Sequence, residues 1–560
     1  MKKLATLLLA AGMVLGSFAG VQAIDFKGRG EFQQDFGWAD GLGFVRSRPS
    51  DASSPSGNDR SRTGPNKRIY GDGVGGVDNF EANQRVRLQL QAIASEDLYG
   101  QVNFEIGDFD WGHNGGGKSN GAYGQRPMIM GIRWAFMDFR LPSTDLRMRM
   151  GVQRLQMPSY TFSFAPGFSN EGPALLATNK FSDNISLSFF WSRQLNENGP
   201  AGAQATKVNQ NSKYAAGNMD NWDVFGLLLP LSFDGFKVTP YAILSQMGPR
   251  AMNEDGLKGK VVKDPDQRTY SLMYPRWMAT SNSKVTSVNK RTGLYADDDY
   301  ITTYWGAVTG EVTAVDPLRI AWEAMYGEAS HVGRGYLNRN GWWINAMVEY
   351  KMDWGVPGFY LWYATGDDDN PRNGSERMPM WSQSSGDYPL SFFGFSGSDQ
   401  NTDLDGYAFN SDPTGTMGLG LRLRDMSFMD KMSHTLRLNL MQGTNSPTMA
   451  KYIMGKKALS ADYKTSSIAD FNAYAGKKGS LYLTEKDQVV EVGFDTSIKL
   501  YKELELVVEL GYMHLFLDQS KGMWGAGTSA AAAAQGRTND IRGVNLTDAM
   551  KASAMFLYKF

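Results

Sequence analysis

Charged and apolar residues alternate with a period of two along many segments of this 560-residue chain, and this pattern restricts the fold most strongly. In the clearest segment, residues 85–92, Arg85 and Arg87 alternate with Val86 and Leu88. Successive side chains of a strand point to opposite faces, so such a segment is a strand between two different environments. Further segments of this kind are 146–150, 419–424, 436–440, 490–495 and 504–510.

Short and long connections alternate between the predicted strands. Tight turns are expected near residues 95–97, 142–144, 182–184, 233–235, 315–317, 353–357, 429–431 and 501–503. Long polar stretches cover residues 39–78, 248–299, 367–415 and 445–486. Connections this long without regular structure are unusual in a compact soluble domain. Short turns at one end and long loops at the other are typical of outer-membrane barrels.

The sequence therefore predicts an all-β fold, a transmembrane antiparallel β-barrel of about 18 strands, with 16 strands as the alternative. An even number keeps both chain ends on the same side of the membrane. The least regular segment, 173–180, is included because its two neighbours would otherwise run in the same direction. The predicted strands begin near Asp25, Phe80, Leu98, Gly131, Asp145, Gly172, Ile185, Asn221, Phe236, Tyr300, Leu318, Gly341, Gly358, Thr416, Thr435, Gln488, Leu504 and Leu546.

Both ends of the chain fit this fold. Lys2 and Lys3 precede an apolar run, and Val21-Gln22-Ala23 offers small residues for cleavage, so residues 1–23 are predicted to be a secretory signal peptide. Residues 24–560 are then a single barrel domain. At the other end, Ala554, Phe556, Tyr558 and Phe560 share one face of a strand, and an aromatic outward face suits the girdle of a barrel.

Composition excludes several other classes. The chain has no cysteine, which excludes disulfides, thiolate metal sites and covalently attached haem. After residue 23 no segment approaches the roughly 18 apolar residues of a membrane-spanning helix. The mean hydropathy of −0.39 is that of a polar chain, but the polar interior and loops of a barrel also lower this value.

The signal ending in Val21-Gln22-Ala23, the following Ile24-Asp25-Phe26-Lys27 and the closing Tyr558-Lys559-Phe560 resemble the homotrimeric outer-membrane porins of anaerobic sulfate-reducing bacteria. The resemblance implies export through the periplasm to the cell outer membrane and a homotrimer of water-filled barrels. Its partners would be the lipid bilayer, lipopolysaccharide and small hydrophilic solutes, with no nucleic acid. The long loops carry no motif that matches this family.

Arginines and carboxylates dominate the polar face of the predicted strands. Guanidinium groups at the bilayer midplane cost ~2–4 kcal/mol each in a barrel, so the charged face must line the lumen. The arginines could attract small anions, or they could pair with lumen carboxylates and only stiffen the wall. The predicted pore-lining residues are Arg85, Arg87, Arg133, Arg147, Arg149, Arg422, Arg424, Arg437, Glu491, Glu505 and Glu509.

The third extracellular connection, residues 157–170, is the candidate constriction loop, because the third loop of trimeric porins folds into the lumen and the resemblance suggests the same here. Its candidate residues are Tyr160, Phe162, Phe164 and Phe168. This connection lacks the acidic cluster common in general porins, so its aromatic side chains could instead pack on the inner wall or on a neighbouring subunit.

No cofactor is predicted, and no motif indicates an enzyme. Two acidic stretches, 297–299 and 366–370, could contribute oxygen ligands to Ca²⁺ but match no fixed-spacing motif, so solvated loop charge is the favoured interpretation. Tryptophans clustered between residues 305 and 362 are interpreted mainly as an interfacial girdle, with a sugar-stacking track in the lumen as the alternative. The predicted function is passive diffusion of small hydrophilic solutes with a mild anion preference; the alternative is a channel selective for oxyanions or saccharides.

Overall fold

The computed structural model describes residues 24–40, 79–111, 130–161, 169–196, 221–247, 301–330, 338–370, 373–380, 414–450, 483–518 and 548–560. Nearly all of the described residues lie in strands or in the turns between them. The strands are β1 Asp25–Asp40, β2 Asn79–Ser95, β3 Leu98–Asp110, β4 Met130–Arg140, β5 Leu146–Gln156, β6 Ser169–Lys180, β7 Ser186–Asn196, β8 Asn221–Leu228, β9 Leu231–Phe233, β10 Phe236–Met247, β11 Ile301–Val312, β12 Leu318–Ser330, β13 Arg339–Tyr350, β14 Val356–Ala364, β15 Thr416–Met426, β16 Met432–Gly443, β17 Gln488–Lys499, β18 Leu504–Phe516 and β19 Ala549–Lys559.

The strands form one closed antiparallel sheet. Consecutive strands pair in chain order, and β1 pairs both with β2 and with β19, so the sheet has no free edge. At the seam, the backbone N–H of Gly30 donates to the carbonyl of Phe560 at 2.8 Å, and Phe560 donates back at 3.0 Å. This confirms the predicted barrel, which is closed by the pairing of the terminal strand with the strand that begins at Asp25.

The wall contains 18 strand positions. β8 and β9 both pair with β10, so they are two parts of one wall strand interrupted at Leu229 and Pro230. Proline has no N–H to donate to the ladder, which explains the interruption at this point. The bridge between Ile185 and Leu231 continues the pairing with the preceding strand. The count confirms the prediction of 18 strands and excludes 16.

All eight predicted tight turns connect strands at one end of the barrel. Two examples are the connections between β2 and β3 and between β15 and β16, where Lys431 takes a positive φ of 65°. The predicted strand at residues 173–180 is present as β6, which begins four residues earlier. The long polar connections predicted at the other end lie wholly or largely outside the described residues.

The two faces of the wall differ as the alternation predicts. On β10, Tyr241, Ile243 and Ser245 are buried, whereas Leu244 between them is exposed on the other face. Aromatic side chains gather on the outer face beside the seam, where the ring of Phe32 lies 6.3 Å from Tyr558 and 5.7 Å from Phe560. Among the described residues, no helix is long and apolar enough to cross a membrane.

Candidate functional site

A segment of the connection after β5 lies inside the barrel. Tyr160 donates its backbone N–H to Oγ1 of Thr309 on β11 at 3.1 Å, and the Oγ of Ser159 donates to Oε2 of Glu323 on β12 at 3.2 Å. Several strands separate β5 from β11 and β12 in the wall, so these contacts cross the interior. They identify the face of Thr309 and Glu323 as the inner face.

Arg319 on β12 clamps this inward segment. Its Nη2 donates to the carbonyl of Tyr160 at 2.5 Å, and its other donors bind carboxylates of Glu311 and Glu349 at 2.9 and 2.8 Å. Tyr160, one of the four predicted constriction residues, therefore lies against the inner wall. Phe162, Phe164 and Phe168 lie outside the described residues.

The predicted residues Arg87 on β2 and Arg133 on β4 belong to a chain of alternating charges. Arg87 lies 2.9 Å from a carboxylate oxygen of Glu105 and 3.5 Å from one of Glu31. Arg133 lies 3.5 Å from Glu105 and 2.5 Å from Glu171. A cavity of about 330 Å³ is lined by Arg87, Glu105, Arg133 and Glu171. These arginines are therefore ion-paired but still border open space.

Arg147 and Arg149 on β5 share one carboxylate. Their Nε atoms lie 2.5 and 2.8 Å from the two oxygens of Asp138, whose own side chain is 2% exposed. Each guanidinium also lies over an aromatic ring, Arg147 over Tyr99 at 5.8 Å and Arg149 over Phe136 at 4.7 Å. Two cations for one anion leave this part of the wall with one excess positive charge.

A second shared carboxylate holds the arginines of β15. Arg422 and Arg424 place guanidinium nitrogens 2.7 and 2.8 Å from Glu349, which also binds Arg319. The Glu349 side chain is only 1% exposed. Burying such a carboxylate is tolerable because three guanidinium groups surround it.

The remaining predicted arginines lie deeper in the wall. Arg85 donates to the side-chain oxygen of Gln33 at 2.7 Å. Arg437 forms an ion pair with Asp495, and both side chains are largely buried. These two arginines also face inward.

The three predicted acidic lining residues are on the inner face of β17 and β18, where they accept hydrogen bonds from neutral side chains. The donors are Asn439 for Glu491, Ser497 for Glu505 and Ser553 for Glu509.

Several inner-face charges were not predicted from the sequence. Asp138, Glu311, Glu349 and Arg319 all occupy strand positions that alternate with outward apolar residues, as in Glu349 beside the exposed Val348. The same period-two argument that located the arginines, extended to β4, β11, β12 and β13, would have identified them.

Exposure separates the predicted lining residues into two groups. The side chains of Arg147 and Arg149 are 39% and 35% exposed, and that of Arg424 is 35% exposed. The side chains of Arg422 and Arg437 are 10% and 8% exposed. Water therefore reaches Arg147, Arg149 and Arg424, whereas Arg422 and Arg437 are covered.

The tryptophan cluster does not form a single girdle, so that interpretation is wrong for half of it. Three of the six tryptophans are almost fully buried. They are assigned to the inner face because they alternate in step with the inward residues Thr303, Asn345 and Tyr360. The inward residues are Trp305, Trp343 and Trp362, and those directed away from the interior are Trp322, Trp342 and Trp354.

A second inward segment, residues 373–380, was not predicted at all. The carbonyl of Pro379 accepts a hydrogen bond of 2.7 Å from Nε1 of the inward Trp305. Within the segment, burial raises the pKa of the Glu376 carboxyl above its ordinary value, and the nearby Asp368 and Asp367 carboxylates raise it further.

The structure offers no metal centre among the residues it describes, where no group of three histidine or acidic side chains could hold an ion. In the candidate Ca²⁺ stretch, the carboxylate of Asp368 accepts hydrogen bonds from the backbone N–H of Asn370 at 2.7 Å and from the side-chain amide of Asn373 at 2.8 Å. The other stretch, 297–299, lies outside the described residues.

On the outer face, hydrogen bonding from Tyr512 lowers the pKa of Asp548, which also contacts His514.

No protein-family model matches this sequence, and no curated protein is similar to it. Solved structures of related shape match this chain over nearly their whole length. A BenF-like porin from Pseudomonas fluorescens Pf-5 is 8% identical, with a TM-score of 0.46 and coverage of 95% of this chain and 98% of the other. OpdL from Pseudomonas aeruginosa is also 8% identical, with a TM-score of 0.45 and coverages of 96% and 99%.

OccAB3 from Acinetobacter baumannii is 9% identical, with a TM-score of 0.44 and coverages of 95% and 100%. At these identities and TM-scores the likeness carries no argument about activity. The closed barrel rests instead on the strand pairing described above.

Proposed function

We propose that this chain is an outer-membrane porin that lets small hydrophilic solutes diffuse passively through its lumen. The observation that supports this most is a closed barrel whose inner face carries half-exposed charged side chains, Arg147 and Arg149. A soluble barrel would place apolar residues inside and polar residues outside, whereas here Leu90, Leu244 and Leu421 are exposed on the outer face. No catalytic group and no cofactor enter this proposal.

We further propose that the pore prefers anions modestly. The shared Asp138 neutralises only one of its two arginines, and both guanidinium groups are accessible to water. The formal charge of the whole chain is −1, but charges beyond about 8 Å from the ion path are largely screened at physiological salt. The excess positive charge at Arg147 and Arg149 therefore acts on a passing ion more strongly than the net negative charge of the whole chain.

A channel selective for oxyanions is the second candidate function. Arginines stacked on Tyr99 and Phe136 present their N–H groups at a fixed orientation, which suits an oxyanion better than a single mobile charge does. A saccharide track receives less support, because Trp305, Trp343 and Trp362 are at most 3% exposed.

The proposal includes a homotrimer embedded in lipid and lipopolysaccharide, reached by export after removal of residues 1–23. It also includes membership of the porin family of sulfate-reducing bacteria, on the terminal motifs Val21-Gln22-Ala23 and Tyr558-Lys559-Phe560. Native mass measurement in mild detergent tests the trimer, and a monomer alone would refute it.

Single-channel recording in planar bilayers tests the function. A diffusion porin gives a conductance that rises in proportion to KCl concentration, because ions cross without a saturable site. Folded protein that forms no channels would refute the proposal. Conductance that saturates with one particular oxyanion, together with block of the KCl current by it, would favour the selective channel instead.

A further inference from the structure

A carboxylate lies on the outer face of the barrel near the end that carries the long connections. Glu328 is two residues from the end of β12 at Ser330, whereas the tight turns connect the strands at the opposite end. By strand alternation Glu328 shares its face with the exposed Ile320, so it points away from the lumen. Charged side chains on the lipid face destabilise a barrel, although less near the interface than at the midplane. A charge at this position therefore calls for a physical reason.

Two tyrosines bind the same oxygen of this carboxylate. Tyr304 on β11 is directly opposite Glu328 in the sheet and donates its hydroxyl to Oε2 at 2.5 Å. Tyr326, two residues before Glu328 on β12, donates to the same Oε2 at 3.1 Å. No residue in the described part of the chain donates to Oε1. The tyrosines therefore orient the carboxylate and leave one oxygen available to a partner outside the chain.

Other outward carboxylates near this end of the barrel have a cationic or ionisable partner. Asp223 on β8 lies 2.9 Å from Nε of Arg193, and Asp548 lies 2.5 Å from Nδ1 of His514. Glu328 forms no ion pair with any residue that the structure describes. Since a charge that faces lipid is costly unless it is compensated, the carboxylate of Glu328 indicates a cation supplied from outside.

Aromatic rings accompany the carboxylate on the same face. The ring of Tyr326 lies 6.4 Å from that of Tyr304 and 5.0 Å from that of Trp342 on β13. Tyr304 is 40% exposed and Trp342 is 47% exposed, so both rings can be reached from outside the barrel. Ring faces attract cations, and rings together with a carboxylate suit an organic ammonium group. A Ca²⁺ ion would need six or more oxygen ligands, far more than this single carboxylate offers.

We propose that Glu328, Tyr304, Tyr326 and Trp342 form an outer-face binding site for an organic ammonium group carried by the lipid or lipopolysaccharide around the barrel. Tyrosine and tryptophan rings on the outside of a barrel lie at the level of the lipid head groups, where such a group is found. The proposal goes beyond the diffusion function. It requires the membrane location but no conduction, because Glu328 and the lumen are on opposite faces of the wall.

Native mass measurement in mild detergent counts bound lipids and tests the site. The probes are two phospholipids with identical acyl chains, one with an ethanolamine head group and one with a glycerol head group. Wild-type protein should bind the ethanolamine lipid about fivefold more tightly, from one exposed ion pair and a cation–π contact. Glu328→Gln should lose this preference, although its side-chain oxygen can still accept from both tyrosines. Equal binding of the two lipids by the wild type, or an unchanged preference in Glu328→Gln, would overturn the proposal.

Two further variants test whether the effect is specific to this place. Gln488→Leu is the matched control, because Gln488 is exposed on the outer face of β17 near the same end of the barrel. It should keep the full preference for the ethanolamine lipid. Trp342→Leu removes one ring and should reduce the preference about threefold. A wild-type preference in Trp342→Leu, or a lost preference in Gln488→Leu, would refute the site as proposed.

Competition distinguishes the sources of the ammonium group. Soluble ethanolamine in excess should displace the lipid from the wild type if the site recognises the ammonium group itself. An intact lipid preference without displacement would restrict the site to lipid-borne amines. If Mg²⁺ instead causes the wild type, but not Glu328→Gln, to retain the glycerol lipid, the site binds a bridging metal ion and the ammonium proposal is wrong.

Channel recordings separate this proposal from the diffusion function. Single-channel conductance in Glu328→Gln should equal that of the wild type, because the side chain lies outside the lumen. Wild-type protein that forms no channels but prefers the ethanolamine lipid would refute the diffusion function and support the ammonium site. Wild-type protein that conducts but shows no preference between the lipids would refute the ammonium site alone.

Discussion

Neutralising the two arginines that share Asp138 should weaken any anion preference of the pore. In Arg147→Gln plus Arg149→Gln, the amide groups can still donate to the Asp138 carboxylate, so the wall keeps a hydrogen-bonded partner for this buried acid. Two positive charges disappear from the water-accessible inner face. The local balance at Asp138 changes from one excess positive charge to one excess negative charge.

The size of the effect follows from Coulomb's law. A unit charge about 7 Å from a passing ion contributes about 0.6 kcal/mol in bulk water. Screening with a Debye length of about 8 Å reduces this to about 0.25 kcal/mol. Two charges act with opposite sign on anions and cations, so the permeability ratio changes by about 1 kcal/mol, or roughly fivefold.

Reversal potentials under a KCl gradient measure this ratio. The control is Arg154→Gln, which lies on the same strand but on its exposed outer face and should leave the ratio unchanged. Charge reversal with Arg147→Glu plus Arg149→Glu should shift the ratio further toward cations. Wild-type selectivity in both double variants would show that these arginines do not border the ion path, and a clear cation preference in the unmodified protein would refute the proposed anion preference.

Three further perturbations test other parts of the structure. Arg319→Gln should loosen residues 157–161, because it removes the donor to Tyr160 and two ion pairs at a cost of about 1–3 kcal/mol; channel noise should increase, and an unchanged noise spectrum would contradict the clamp. The pKa of Glu376 is raised in the segment 373–380, so the packing of this segment on the wall is most stable below the ordinary value of 4.5 and weakens as pH rises through the raised pKa. Hydrogen exchange in 373–380, corrected for intrinsic rates, should therefore be slower at about pH 4 than at about pH 7. Glu376→Gln should abolish this difference. Gly30→Val should disturb barrel closure, because its Cβ would lie 2.5 Å from the Phe560 ring, whereas Gly131→Val meets nothing within 4 Å; equal yields of folded, heat-modifiable barrel from both would refute this.

The barrel could be predicted from the sequence because its determinants are local. Period-two alternation and turn residues fix each strand and its connection, and even the irregular strand β6 followed from the need for antiparallel order. The break at Pro230 within one wall strand was not predicted, although the missing N–H of proline gives its reason.

The interior was predicted less completely, because its contacts join residues far apart in the chain. The side chains of adjacent Trp342 and Trp343 must point to opposite faces of a strand, so a single girdle could have been excluded from the sequence. In contrast, no local sequence pattern predicts the contact of Gly341 with Glu376 or the hydrogen bond from Trp305 to Pro379. These contacts arise from how the segment folds back into the barrel, which strand periodicity does not encode.

Covalent block at the arginine wall tests most directly whether solutes pass along it. The measurement is the current through Arg149→Cys channels while a bulky, charged, membrane-impermeant thiol reagent is added. Because the native chain has no cysteine, any change reports on this one position. A stepwise fall in conductance is expected as each cysteine is modified. Complete modification, verified by mass measurement, with no change in current would contradict a diffusion path past Arg147 and Arg149.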